Sequence, residues 1–180
     1  YVQNDLAEKA LECFQDMQNV GIYPNPVTYA HALKACGIVR SLEIGKDIDA
    51  KVRNRGLLQN NVVLQTALVD MYFRCGALEK AQEVFKQILV KDVVCWNALI
   101  SGYSENGLNN EAVKWFSEMQ GDGVCPNEIT FTCILKSCAI LGSLEVGESI
   151  DAEVRKQGLL QKDTVLNNAL LGMYAKCVAM

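Results

Sequence analysis

The sequence predicts an all-α fold, a right-handed α-solenoid superhelix of stacked helix-turn-helix repeats. Three observations carry that expectation: strong internal self-similarity, apolar residues at helical spacing, and only three prolines in 180 residues. At an offset of ~102 residues, about 36 of 78 aligned pairs are identical. LEIGKDIDAKVRNRGLLQ from Leu42 returns as LEVGESIDAEVRKQGLLQ from Leu144. ALVDMYFRC from Ala67 returns as ALLGMYAKC from Ala169, and the opening YVQNDLAEKALECFQDM returns more loosely from Tyr103. Pro24 and Pro126 stand in matched settings, after GIY and GVC.

Shorter units of roughly 31 to 36 residues lie inside the long period. Residues 1–25 form a partial unit: Tyr1 aligns with Tyr103, so the opening ten residues of a first helix are missing. Complete units follow at 26–61, 62–92, 93–127 and 128–163, and 164–180 begins another. Each complete unit reads as two amphipathic helices. In the third, Val94, Leu99, Ile100 and Tyr103 give the apolar face of a first helix. Gly107 breaks it, and Ala112, Val113, Phe116 and Met119 form the second. Gly123 and Pro126 close the unit, as a C-terminal Gly and a following Pro should. One helix pair cannot bury its own apolar face, whereas stacked pairs share a continuous core. Neither end carries a polar cap, so the array is expected to continue beyond both, with any targeting peptide or further domain outside it.

Composition narrows the function. Acidic residues outnumber basic ones 21 to 17, giving a net charge of −4 and a pI near 5.1. That balance argues against unspecific electrostatic binding of nucleic acid, which needs excess Lys and Arg. No apolar run approaches the roughly 18 residues that span a bilayer, so no membrane insertion is expected. The eight cysteines contain no C-x-x-C pair, and the single His31 has no Cys at ligand spacing. Cys36 matches Cys138 and Cys75 matches Cys177, as small buried residues of a repeat would. Free thiols in this number point to a reducing compartment. Trp96 and Trp115 do not recur as Trp in other units, which favours packing over a base-stacking role.

VVCWNALISGYSENGLNNEAVKWFSEMQGDGVCPN resembles a pentatricopeptide repeat of the ordinary type. The unit with LKACGIVRSLEIGKDIDAKVRNRGLL is similar to the family's long variant, and that with ALVDMYFRCGALEKAQEVF to its short variant. Their rotation resembles the PLS subclass of land plants. A tetratricopeptide array would keep a constant period of about 34 residues and a Trp-Leu-Gly-Tyr pattern that is absent. The resemblance implies single-stranded RNA recognition, one base per unit. It also implies a location in chloroplast or mitochondrion.

In that family a residue early in the first helix and the last residue of the unit form a reading pair. Carried over, the complete pairs are Ala30 with Asn61, Thr66 with Asp92, Asn97 with Asn127, and Thr132 with Asp163. The partial units keep only Asn25 and Asn168. An ionised Asp only accepts hydrogen bonds and suits the ring N–H of guanine or uracil. Asn can donate and suits the bare ring nitrogen of adenine or cytosine. By family analogy an early Thr favours purines and an early Asn pyrimidines. Thr66 with Asp92 then reads G, Asn97 with Asn127 reads a pyrimidine, C before U, Thr132 with Asp163 is a weak G, and Ala30 leaves its unit nearly indifferent. Early Asn and Thr are also able to cap a helix, which is their ordinary reading.

Val27, Val63, Val94, Ile129 and Val165 recur near the start of the first helices. The family places a base-clamping aliphatic there; core packing explains them equally well. Arg74 and Lys176 match the family's phosphate-contacting residue, or are solvated charges at a helix C-terminus. Glu105 and Gln3 stand at that position in the ordinary units and should weaken RNA binding. The first helices hold Lys34, Arg74, Lys136 and Lys176 against Asp70 and Glu105, a net of +2.

The PLS resemblance implies site recognition for C-to-U editing, with small organellar editing cofactor proteins docking on the long units. The deaminase signature needs H-x-E, yet Ala32 and Leu33 follow His31. No catalytic triad, phosphate loop or carboxylate pair appears, so neither an enzyme nor a cofactor is expected. The alternative is a protein–protein scaffold in an organellar assembly, favoured by the acidity, Ala30 and Glu105.

Overall fold

The computed structural model describes residues 2–161 and 163–178. Among them are ten α-helices, one short 3-10 turn at Leu159–Gln161, and no strand. The helices are α1 (Val2–Asn19), α2 (Pro26–Val39), α3 (Leu42–Asn54), α4 (Val62–Arg74), α5 (Leu78–Gln87), α6 (Val93–Glu105), α7 (Asn109–Gly121), α8 (Glu128–Leu141), α9 (Leu144–Lys156) and α10 (Thr164–Val178). They gather into two compact units, Tyr1–Lys91 and Asp92–Met180.

In the first unit α2 packs against α1, α3 and α4, and α4 against α3 and α5. Leu33 and Cys36 of α2, Ile48 and Val52 of α3, Leu64, Leu68 and Met71 of α4 and Ala81 of α5 are fully buried. Phe14 meets Tyr29 edge-on at 5.8 Å. In the second unit α8 packs against α6, α7, α9 and α10. Its core holds Leu99 and Ile100, Ala112 and Met119, Phe131, Ile134 and Leu135, Val154, Leu166 and Met173. Trp96 is buried; its ring centroid lies 6.3 Å from that of Trp115, which stacks on Tyr103 at 6.4 Å. Both tryptophans serve packing.

The long repeat reappears as repeated contacts. Asp49 of α3, nearly buried, accepts the Tyr72 hydroxyl at 2.7 Å and the Arg53 Nε–H at 2.7 Å. Asp151 of α9 accepts Tyr174 at 2.9 Å and pairs with Arg155 at 2.8 Å. Each tie joins the second helix of one long unit to the next first helix, and charge-assisted bonds of this kind are the stronger ones. Burial, and then the bond to Asp49, push the Tyr72 hydroxyl pKa well up. Gly45 and Gly147 sit where any Cβ would strike the thioether of Met71 and of Met173.

Two local expectations need correction. Val94 is 58% exposed and is no part of the α6 core face, which Cys95, Trp96, Leu99, Ile100 and Tyr103 supply instead. The side chain of a first-turn residue leans toward the helix N-terminus, where no turn of its own helix lies beneath it. The opening segment is one continuous helix, α1, although it aligns with the broken pair α6–α7. Gly107 takes a left-handed φ of 78° at that break, whereas Asp5 stands in its place within α1 and keeps the helix running.

Candidate nucleic-acid interface

The unit-terminal residues are the N-caps of the following first helices. Asn25 Oδ1 accepts the Thr28 N–H at 2.9 Å, and Asn61 Oδ1 accepts the Leu64 N–H at 3.0 Å. Asp92 accepts from Cys95 at 2.9 Å, Asn127 from Thr130 at 3.1 Å, and Asp163 from Val165 and Leu166 at 2.8 and 3.2 Å. Capping therefore belongs to the unit ends, and the early Asn and Thr do not cap. A cap spends one side-chain atom on the helix and turns the other outward. Asn so held presents its Nδ2 donor, and Asp presents its second carboxylate oxygen.

Two residues beyond each cap, a second regularity appears. Val27, Val63, Val94, Ile129 and Val165 each occupy the second position of a first helix, and all five are exposed, between 58% and 73%. Core packing is excluded as their role. An aliphatic side chain exposed once is ordinary, but here the same register position is exposed in all five first helices.

The early residues Ala30, Thr66, Asn97, Thr132 and Asn168 all fall at the fifth position of their helices. A cleft of about 540 Å³ brings together Thr132, Asp163, Ile129 and Val165, so one proposed pair and its two flanking aliphatics share a single site. A smaller cleft of about 270 Å³ joins Asn25, Val27 and His31. Asn61 caps α4 two helices along from Ala30, within the first unit. Thr66 and Asp92 belong to different compact units, where Thr66 is half-buried and Asp92 exposed. Asn168 is exposed on α10.

Asn97 and Asn127 meet directly. The Asn97 Nδ2–H donates to Asn127 Oδ1 at 3.0 Å, and the Thr130 hydroxyl donates to Asn97 Oδ1 at 2.6 Å. Asn97 is nearly buried, at 8% exposure, so Asn127 carries most of the accessible polar edge. Thr130, which bonds to both members of this pair, is a residue that sequence reasoning missed. Its signal was the N-x-x-T spacing shared by Asn127–Thr130 and Asn25–Thr28, a variant of the capping box.

The electrostatics are mixed. α8 begins at Glu128, which joins the first-helix set and lowers its net charge from the expected +2 to +1. Around the larger cleft Lys136 faces Glu105, Glu128 and Asp163. Arg74 gives its Nε–H to both carboxylate oxygens of Asp70, at 2.9 and 3.0 Å, so its charge is half spent. Lys176 is exposed, and Gly172 stands where an acidic partner would sit four residues earlier. Burial, followed by the neighbouring Cys75, pushes the Cys36 thiol up to about 12; burial and Cys177 raise Cys138 to about 11. Such thiols are poor nucleophiles and poor ligands at neutral pH. Among the described residues no cluster of His, Cys, Asp and Glu could hold a metal ion.

A cap and an exposed aliphatic recur at one register in five first helices, as in a repeat family, and comparisons identify the family. Family models described as the PPR repeat family, the pentatricopeptide repeat domain and the PPR repeat match residues 91–140, 1–39 and 66–93. The chain belongs to the pentatricopeptide repeat family. It is 40% identical over 178 residues to a mitochondrial pentatricopeptide repeat-containing protein of Arabidopsis thaliana, covering 98% of this chain and 26% of that protein. A chloroplastic member from the same plant is 39% identical over 164 residues, 91% of this chain and 27% of its own length. The chain thus spans about a quarter of the curated relatives it matches. The crystal structure of a maize pentatricopeptide repeat protein superposes with a TM-score of 0.68 at 20% identity, over 97% of this chain and 26% of that one. The same maize protein in complex with an 18-nucleotide RNA element matches at a TM-score of 0.67, over 80% of this chain and 22% of that one. The likeness establishes the helical-repeat solenoid fold.

Proposed function

We propose that this chain is a segment of a pentatricopeptide array that binds single-stranded RNA in a sequence-specific way, one base per unit. The observation that carries the reading is the exposed aliphatic at the second position of all five first helices, beside the unit-end caps. A base has two apolar faces and a polar edge, and this register offers an aliphatic for the faces and a cap's free atom for the edge. The RNA-bound maize relative supports the same reading. On this reading Asn97 and Asn127 select cytosine, Thr66 and Asp92 select guanine, and Arg74 and Lys176 approach phosphates.

The rotation of ordinary, long and short units supports the PLS subclass and, with it, site recognition for C-to-U editing in an organelle. Relatives named mitochondrial and chloroplastic support the location. Editing cofactor proteins would dock on the long units. A scaffold role has one specific observation in its favour: a cleft of about 740 Å³ on α1 and α3, where Glu8, Glu12 and Glu43 surround Leu11 and Ile44.

The test is a base swap at one unit. Asn127→Asp replaces the outward amide by a carboxylate oxygen, so preference at that nucleotide should move from C to U by about tenfold, read by titration of paired strands. An unchanged C-to-U ratio contradicts the RNA code; loss of all binding to a scaffold partner, with RNA ignored, supports the alternative.

A further inference from the structure

The base-reading roles of Asn97 and Asn127 do not explain why a buried hydroxyl from the next unit lies between them. Thr130 is 1% exposed and makes four polar contacts within this small group. Its hydroxyl lies 2.6 Å from Asn97 Oδ1 and 3.1 Å from Asn127 Oδ1, and it accepts the Asn127 N–H at 3.2 Å. Its own N–H donates to Asn127 Oδ1 at 3.1 Å. A threonine hydroxyl has one proton, and the nearer oxygen, on Asn97, takes it.

The consequence is a fixed polarity. Asn127 Oδ1 receives two N–H bonds, from Thr130 and from Asn97 Nδ2, so both of its lone pairs are used. Asn97 Oδ1 is occupied by the hydroxyl, and one of its amide hydrogens is already given away. What remains unused is N–H alone: two hydrogens on Asn127, the more accessible of the two, and one on the nearly buried Asn97. The cap bond from the Thr130 N–H holds the Asn127 amide, whereas Asn97 makes no cap bond, and without the hydroxyl its amide could turn end for end and offer either a donor or an acceptor. We infer that Thr130 is a positioning residue which locks this asparagine pair as a donor-only face, so that it takes a pyrimidine with a bare ring nitrogen and refuses one bearing a ring N–H.

Sequence context agrees independently. The third residues of the other first helices are Thr28, Leu64, Cys95 and Leu166. Leu64, Cys95 and Leu166 follow the complete pairs whose early residues are Ala30, Thr66 and Thr132, none of which has an amide to orient. Thr28 follows a partial unit and gives its hydroxyl to Asn25 Oδ1 at 3.0 Å. Among the complete pairs, the hydroxyl is present only where the early reader is an asparagine.

This inference rests on the RNA-reading proposal, and two readouts separate their failures. The first needs no RNA: in the full chain, side-chain amide NMR of Asn97 should show slowed hydrogen exchange. That protection should persist in Thr130→Ser and be lost in Thr130→Val, which keeps the backbone N–H and the shape. The second is the ratio of affinities for strands with C or U opposite this unit. It should fall by about three- to tenfold in Thr130→Val and recover in Thr130→Ser. A Thr130→Val chain that keeps both the amide protection and the ratio overturns the inference. A wild-type chain with no C-over-U preference overturns the base assignment instead, and the amide protection alone then decides the positioning role.

Discussion

At the scale of single residues, the molecule separates positions that look alike in sequence. Ile129 and Leu135 are both aliphatic members of α8, yet Ile129 is 62% exposed and Leu135 fully buried. Ile129→Ala should change stability by less than about 0.5 kcal/mol in urea denaturation, because no cavity forms. Leu135→Ala should cost about 2–5 kcal/mol. On RNA the order reverses at equal folded fraction: Ile129→Ala should weaken binding severalfold, since Ile129, unlike Leu135, lines the cleft with Thr132 and Asp163. Equal loss of stability in both variants would show that Ile129 is packed after all. The sequence left the role of this stripe open because periodicity reports a helix, and it cannot say that the first turn lies beyond the packed zone. The choice between capping and reading at the early Asn and Thr was open for a related reason. Residues able to cap stand both before the first helices and inside most of them, and only geometry tells the capping oxygen from the residue five positions on.

The elements themselves were largely legible. Helical spacing, the paired Gly-Pro closures and the self-similarity gave an all-helical chain with first helices opening near Pro26, Val62, Val93 and Glu128. The continuous α1 was not legible, because alignment to the broken copy concealed that Asp5 replaces Gly107. Nor were the close helix approaches visible. Gly45 and Gly147 look like ordinary helical glycines, but each lies against a buried methionine of the next first helix. Gly147→Ala should cost about 1–3 kcal/mol by forcing Met173 from its place. The Gly147→Ala, Met173→Ala double variant should be more stable than the sum of the single effects by about 1 kcal/mol, as measured by a double-mutant cycle. Strict additivity would mean that the two side chains do not share the space.

At the scale of the whole molecule, a net charge of −4 and first helices at only +1 put little weight on phosphate attraction. On the proposed RNA-binding role, affinity then depends on the bases, through the caps and aliphatics, and its salt dependence should be shallow. Composition exposed that balance at once. It could not reveal that Asp70 already occupies Arg74, since a pairing four residues back is a matter of rotamer. The account stands most directly on RNA titration of the whole chain at two salt concentrations. One strand carries G then C at the Thr66 and Asn97 units, and the other carries the same two bases exchanged. The account predicts severalfold tighter binding to the matched strand, with a preference that survives added salt. Equal affinity for both strands, falling steeply together as salt rises, would contradict it.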